Sequence, residues 1–599
     1  MDTLIDLRFE SDIAVEVWKG GSRHERRERY IPYFYAIAEN PDEMRWLLSS
    51  HPKIIESSIE YRYPDIRSCE KAPLIRIRTA LSDFKPVVSD IRKIPGVLSL
   101  AETTIPHHFR YCMDKKLSFF DTEPELSMEI IKAGERISPD ADVIFSWGPL
   151  SRRLPCIHID LKESLRYDIY GEPVPGADLL ALGKERFIRV MELSHITSVR
   201  PETVSSITPG KLNTFLHIQA AREQGYVVPD TKREVERLKS LNMMRRMDKG
   251  GTIFYPPPGI YRDVGKCDFA SMYPNIIVKY NITPEKMHCR CGNDIEMPIS
   301  GWRICRKRGI IPHGIEKVLR RRLELKRMMR AETDPVKKHI LDLRQKALKN
   351  ILVTCFGYLG FSNFVFSNVE CKEAVMLYGR HILERTKEIA EEEGLEVLYG
   401  IVDSVFVRNV SESPSGSEAN YKIFVKRVSD EFGIELELDC IFKAIAFPCA
   451  DDGSGIANKY YGMTYDGKIE ARGISYRHSD APNFIKQFEL ETIPKILERD
   501  LDGVGKVFET YRTRLFDNFF SLDDFAITKS IKDGEYTVNA PHIVAYRQAP
   551  TGAGYVTFVY TKHGGPMPLD LAKRLGEKID TAKYEDILMR AREEMTRGL

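Results

Sequence analysis

Two aspartates, Asp268 and Asp403, each interrupt a run of apolar, aromatic and β-branched residues. The stretch Val397-Leu398-Tyr399-Gly400-Ile401-Val402-Asp403-Ser404-Val405-Phe406-Val407 reads as two short buried strands meeting at a tight turn, with a single carboxylate. Lys266-Cys267-Asp268-Phe269-Ala270-Ser271-Met272-Tyr273-Pro274 also ends a strand on a lone carboxylate. An ionised carboxylate in such a setting is costly to desolvate and calls for a counter-charge. Taken alone, Asp403 reads equally well as a turn-tip residue bonding its own backbone. Asp268 tips the balance. Two such strands side by side would make a hard-cation site, and two carboxylates with open positions suit Mg²⁺ bound to a substrate phosphate.

Between the two aspartates in sequence lies a strongly basic segment. Lys317-Val318-Leu319-Arg320-Arg321-Arg322-Leu323-Glu324-Leu325-Lys326-Arg327-Met328-Met329-Arg330 reads as a helix. Thr333-Asp334-Pro335 breaks it, and a second helix from about Val336 to Tyr358 completes a hairpin. Arg322 and Lys326, four apart, share a face, and Lys349 stands on the second helix. Three cations facing one another across a hairpin would suit a triphosphate. A solvated basic face is the ordinary reading of such a helix, but it leaves the position between the two aspartate strands unexplained.

The elements that must hold these residues belong to a chain of several domains, since 599 residues supply ample core. Charged residues make up 29%, hydrophobic ones 43%, and the net charge is only +2. No global basicity announces nucleic acid, so a polyanion site must be a local patch. No apolar run approaches the roughly 18 residues of a membrane span, and the N-terminus has no signal-peptide layout. Eleven scattered cysteines suggest reduced thiols in a cytoplasmic protein. Cys289, Cys291 and Cys305, with His288 and His313 nearby, could hold zinc, but their spacing is not a standard one and half-buried free thiols are favoured.

Residues 1–117 alternate strand-like and helix-like segments, as in a small α+β domain: Ile31–Ala36 and Leu74–Arg78 as strands, Asn40–Ser50 and Ser82–Ile94 as helices. In 118–250, Asp142–Trp147 and Cys156–Leu161 read as buried strands, and Lys211–Glu223 and Thr231–Met247 as helices. Asp121, Asp140, Asp142, Asp160 and Asp168 are candidates for a second metal site, yet their spacing forms no motif and solvated or capping roles are favoured. Gly250-Gly251 breaks the chain and Pro256-Pro257-Pro258-Gly259 makes a stiff turn. Later, Lys459-Tyr460 and Lys468–Gly473 place cations and aromatics on adjacent strands, which suits a sugar-phosphate backbone. The remainder reads as mainly helical, with an extended insert from Tyr536 to Tyr560 and a final amphipathic helix from Tyr584 to Arg597.

Together these residues resemble the family B DNA polymerases over nearly the whole chain, and most of all the compact archaeal "B2" subgroup. Asp268-Phe269-Ala270-Ser271-Met272-Tyr273-Pro274 looks like the first palm motif, DFxSLYP, and Tyr399–Ser404 like the third, YGDTDS. Arg322, Lys326 and Lys349 match the spacing of the fingers cations, Lys459-Tyr460 resembles the KxY element, and Gly250-Gly251 the YxGG linker. The third motif departs from the family, with Ile401 for its leading aspartate and Val402 for threonine. In the fingers motif Val353 replaces asparagine and Phe356 replaces tyrosine. The segment for the exonuclease DIE motif is missing between about Leu117 and Ile130.

The resemblance implies a right-hand polymerase with an antiparallel palm sheet, helical-hairpin fingers and a mostly helical thumb. These follow an N-terminal α+β domain (1–117) and a degenerate, shortened exonuclease-like region (118–250). The implied divisions beyond are palm at 251–313 and 359–458, fingers at 314–358, and thumb with primer-template contacts at 459–599. It implies Asp268 and Asp403 as catalytic residues and Asp268, Phe269 and Asp403 as the ligands of two Mg²⁺. Ser271, Met272, Tyr273, Arg322, Lys326 and Lys349 would bind a dNTP, and Gly250, Gly251, Lys459, Tyr460 and Arg472 the primer-template. Replication or repair proteins are implied as partners, a membrane is not, and the setting is the nucleoid. The expected activity is slow template-directed synthesis without 3′-5′ proofreading, suited to repair or lesion bypass. The rival reading is an inactive paralogue that binds primer-template DNA as an accessory.

Overall fold

The computed structural model describes all residues except 1, 132–137, 139, 149, 151–153, 155, 163–177, 233–237, 248–249, 289–292, 298–300, 411–416, 479, 532–537 and 550–554. The chain folds as two compact units, one of residues 1–249 with 271–378, the other of 250–270 with 379–599.

In the first unit, three antiparallel strands (Thr3–Glu10, Ile13–Lys19, Arg23–Arg29) precede a four-stranded antiparallel sheet in the order Ile54–Arg62, Ala72–Thr79, Tyr33–Ala38, Val97–Ala101. Asn40 caps the Pro41–Ser49 helix through its side chain, which accepts from the Glu43 N–H. That helix and Phe84–Ile91 seal the sheet over Phe34, Ile75, Ile77 and Leu100. A three-stranded parallel sheet follows (Met128–Ile131, Val143–Ser146, Ile157–Asp160), then the helices Leu179–Thr197 and Pro209–Glu223.

The basic hairpin is two long helices, Ile310–Ala331 and Pro335–Leu359. Asp334 caps the second by accepting from the Val336 N–H, and Pro335 takes the first helical position, where its missing N–H costs nothing. Glu192 of the Leu179–Thr197 helix clamps the pair: it is fully buried and accepts from Arg321 on one helix (2.8 Å) and Arg344 on the other (2.5 Å). Burial opposes ionisation of Glu192, but the two guanidiniums outweigh it and hold its pKa below the usual range. The clamp therefore persists at neutral pH and weakens only as acid approaches that lowered value. Glu192→Ala is expected to destabilise the first unit by about 2 kcal/mol, below the full penalty for an orphaned buried charge because both arginines keep some contact with water. Urea unfolding of the two forms checks this.

The second unit is built on a seven-stranded antiparallel sheet in the order Ile253–Phe254, Leu395–Ile401, Ser404–Asn409, Gly259–Phe269, Leu436–Phe447, Tyr460–Thr464, Ile469–Arg472. Strand alternation gives it two faces. Gly265 sits beneath the Tyr421 ring of the Ser417–Phe432 helix, which covers one face. Val264, Tyr399, Phe406, Phe442 and Tyr460 make an aromatic layer on the other. Beyond the sheet, the helices Asn483–Leu497, Leu501–Phe516 and Thr581–Thr596 pack around Phe484, Phe488, Tyr511 and Tyr584.

Two sequence expectations are corrected. Among the described residues, the helix expected over Thr231–Met247 is Leu241–Met247, whose start Ser240 caps by accepting from the Met243 N–H, while Lys239 just before it pairs with Glu373; 233–237 lie outside the described residues. The extended insert contains a helix, Pro541–Gln548, started by Pro541, and the C-terminal part also carries a three-stranded sheet of Ile527–Ser530, Tyr555–Thr561 and Gly565–Pro568.

Candidate active site

The Asp403 hairpin is two strands, Leu395–Ile401 and Ser404–Asn409, joined at Val402-Asp403. Val402 adopts φ 54°, a left-handed conformation that costs a β-branched residue on the order of 1–2 kcal/mol. That conformation reverses the chain within two residues and puts Asp403 at the strand end. Gly400 is required by packing, since a Cβ there would lie 2.6 Å from the Phe254 ring.

The Asp268 strand lies directly beside this hairpin. Asp268 pairs with Ser404 in the ladder, and the Ser404 hydroxyl donates to Asp268 Oδ1 (2.5 Å). The Phe269 N–H donates to the Asp403 carbonyl (2.8 Å), so one main-chain bond locks the two motifs together. Both carboxylates are half-buried, with oxygen donors only, which is the chemistry a hard divalent cation requires. The residues fit Mg²⁺. The Phe269 ring is buried on the helix-covered face, so its carbonyl is the one oxygen it could offer.

One row crosses four strands on the aromatic face: Ile401, Ser404, Asp268 and Glu437, each paired with the next. Ile401 thus stands two strands from Asp268, roughly 10 Å at the usual strand spacing. Sequence reasoning missed Glu437, directly opposite Asp268. The alternation Glu435-Leu436-Glu437 holds the signal, but only the ladder register shows which acid faces which strand.

Tyr460 and Arg472 are cross-strand partners, and Arg472 is exposed. Tyr460, expected at the primer-template, is 2% exposed and sits in the aromatic layer, with its hydroxyl donating to Glu470 (3.1 Å). Lys459, beside it, pairs with Glu594 of the last helix (3.0 Å). Gly250 adopts φ 67°, and its carbonyl accepts from Arg380 (2.7 Å); Gly251 follows it into the first strand of the sheet. Lys266, two residues before Asp268, is 8% exposed and bonds Asp439 (2.7 Å) and Glu470 (2.6 Å). Burial alone would lower its pKa, but the two carboxylates outweigh that and raise it.

In the other unit, Ser271 starts the Met272–Lys279 helix at φ 53° and accepts from the Arg322 guanidinium. Arg322 Nε also reaches Gln345 of the second hairpin helix (3.4 Å), whose amide nitrogen is held by Asp342. Lys326 is half-buried one turn on, and Lys349 is exposed on the helix that carries Gln345. The buried Met272 anchors its helix, while the half-exposed Tyr273 ring packs against Phe356 with centroids 4.5 Å apart. Val353, where the resemblance expects asparagine, is 61% exposed.

Cys289 and Cys291 lie outside the described residues. Cys305 is buried in a two-stranded sheet, while His288 bonds Glu370 (2.9 Å) and His313 bonds Glu223 (2.8 Å), which draws both rings to carboxylates. Of the five acids offered for a second metal site, Asp168 is not described. Asp142 bonds Lys19 and the Ser127 N–H, Asp160 caps the Gly148 and Lys162 N–H groups, Asp121 accepts from Ser118, and Asp140 is exposed. No described helix is long and apolar enough to cross a membrane.

The fold matches the structure of the family B DNA polymerase from Pyrobaculum calidifontis with a TM-score of 0.73, at 19% identity and with 100% of each chain covered. Over 338 residues the chain is 32% identical to DNA polymerase 2 of Saccharolobus solfataricus, covering 54% of this chain and 48% of that protein. Over 488 residues it is 28% identical to DNA polymerase 2 of Aeropyrum pernix, covering 76% and 55%. The chain thus spans about half the length of these curated relatives. Residues 210–551, which contain both aspartate strands and the cationic hairpin, match the family model described as DNA polymerase family B. The chain belongs to DNA polymerase family B.

Proposed function

We propose that this chain is a DNA-directed DNA polymerase: it adds a dNTP to a primer 3′ end by attack of the 3′-hydroxyl on the α-phosphate, releasing pyrophosphate. The observation that carries the reading is the juxtaposition of Asp268 and Asp403 at the ends of adjacent central strands, fixed by the Phe269–Asp403 and Ser404–Asp268 bonds. Asp268 and Asp403, with the Phe269 carbonyl, would hold two Mg²⁺, which when bound activate the hydroxyl and neutralise the phosphates. Arg322, Lys326 and Lys349 would grip the triphosphate, with Lys349 delivering a proton to the departing pyrophosphate. Ser271 and Met272 would shape the same pocket, and Tyr273, backed by Phe356, would exclude a 2′-hydroxyl. Lys459, Arg472 and the Gly250-Gly251 turn would hold the primer-template.

We read the enzyme as slow and non-proofreading, a profile suited to repair or lesion bypass in the nucleoid. Ile401 in place of an aspartate supports the first point, and the structural engagement of Asp142 and Asp160 the second. Primer extension with purified protein, Mg²⁺ and the four dNTPs tests the reading. Labelled primer should lengthen on its template, and duplex binding without extension would establish the accessory alternative instead. Ile401→Asp is expected to raise the rate, or lower the Mg²⁺ needed for half-maximal rate, by about tenfold, since a carboxylate two strands from Asp268 adds charge without a direct bridge. An unchanged Mg²⁺ titration would place position 401 outside the metal's influence.

A further inference from the structure

We propose that Lys266 is a positioning residue for Asp268: its ammonium, held by Asp439 and Glu470, fixes the carboxylate-bearing strand against the strand pair that Lys459 precedes and Arg472 ends. The inference rests on the polymerase reading and adds to it a part of the machinery that no sequence motif marks.

Lys266 and Asp268 are two apart on one strand, so their side chains leave the same face of the sheet, about 7 Å apart along it. Lys266 pairs with Phe406, and Asp268 with Ser404, on the next strand. On the opposite side the ladder slips. Lys266 pairs with Cys440 and Cys267 with Leu438, which leaves Asp439 as the extra residue of a bulge. A bulge interrupts main-chain pairing and re-aims a side chain. Here it aims the Asp439 carboxylate at the Lys266 ammonium, 2.7 Å away, one residue before the catalytic strand resumes its register. The ion pair holds where the ladder lets go.

The second carboxylate extends the tie. Glu470 accepts from Lys266 (2.6 Å) and from the Tyr460 hydroxyl (3.1 Å) through the same oxygen, while Cys440 Sγ lies 3.7 Å from the other. Tyr460 is next to Lys459, and Glu470 is two residues from Arg472 on the same face. A movement of the duplex-gripping strands is therefore transmitted to Asp268 through one ammonium. Asp439, Cys440 and Glu470 bring three ligand-type side chains within 4.8 Å of one another, but the Lys266 ammonium already supplies their cation, so the cluster is a tie and not a second metal centre.

The test is a variant in which all three groups are uncharged, Lys266→Met with Asp439→Asn and Glu470→Gln, which removes the tie without orphaning a charge within it. We expect it to fold with an unchanged circular dichroism spectrum, to lose about tenfold in maximal extension rate, and to keep its KM for dNTP, because Arg322, Lys326 and Lys349 are untouched. Mn²⁺ affinity of the protein alone, read by electron paramagnetic resonance without DNA, should fall three- to tenfold. A variant that matches the wild type in rate and in Mn²⁺ affinity would reduce the cluster to a structural ion pair and overturn the proposal. If the triple variant unfolds, Glu470→Gln, which keeps the Lys266–Asp439 pair, carries the same comparison with a smaller expected loss. A wild-type protein that fails to extend primers would refute the polymerase reading, while the Mn²⁺ titration would still decide the role of Lys266.

Discussion

Asp403→Ala is expected to lower primer extension about a thousandfold while leaving the fold intact. The magnitude follows from the site: a hard-cation pair held by two carboxylates loses half of its protein charge, and several kcal/mol of transition-state stabilisation go with it, where about 4 kcal/mol equals three decades of rate. The fold should survive because the Phe269 N–H bonds the Asp403 main-chain carbonyl, which alanine retains. The side chain stands at a half-exposed turn, so its removal leaves no deep cavity. Single-turnover extension at saturating dNTP, with circular dichroism on the same sample, measures both. Extension that persists in the variant would remove Asp403 from the mechanism.

Arg322→Ala is expected to cost about a hundredfold in kcat/KM for the dNTP. A guanidinium bonding a phosphate makes charge-assisted contacts of about 1.5–3 kcal/mol, and about 2.7 kcal/mol corresponds to two decades. The structure prepares this residue: its Nε is aimed at Gln345, whose amide is itself turned by Asp342, and its other end touches Ser271. A side chain held in advance loses less rotamer freedom on binding. Arg320, exposed on the same helix, is the control, and Arg320→Ala should leave kcat/KM within a factor of two or three. Steady-state kinetics at varied dNTP separates the two. Equal losses in both variants would mean that the hairpin contributes only diffuse charge.

Much of the candidate site was legible from local chemistry. The turn at Asp403, the break at Thr333-Asp334-Pro335 and the shared face of Arg322 and Lys326 all follow from short-range rules: strand alternation, proline at a helix start, and the helical repeat. Long-range packing was not legible in the same way. The Tyr460 ring completes a layer with Phe406, Phe442 and Tyr399 drawn from three other strands. Among the described residues, the helix expected from Thr231 begins at Leu241, just after a Lys239–Glu373 pair that spans 134 residues of chain.

Sequence by itself determined the two lone carboxylates, the cationic hairpin between them, and the substitution at Ile401, because each is a matter of residue type and near spacing. Tertiary structure alone decided the register. A one-residue slip in a ladder turns every side chain to the opposite face, so the sequence could not say that Glu437 opposes Asp268, that Ile401 lies two strands away, or that a bulge at Asp439 delivers its carboxylate to Lys266. Those facts depend on pairings between strands more than a hundred residues apart, where local propensity carries no information and only the closing of the sheet selects one alignment.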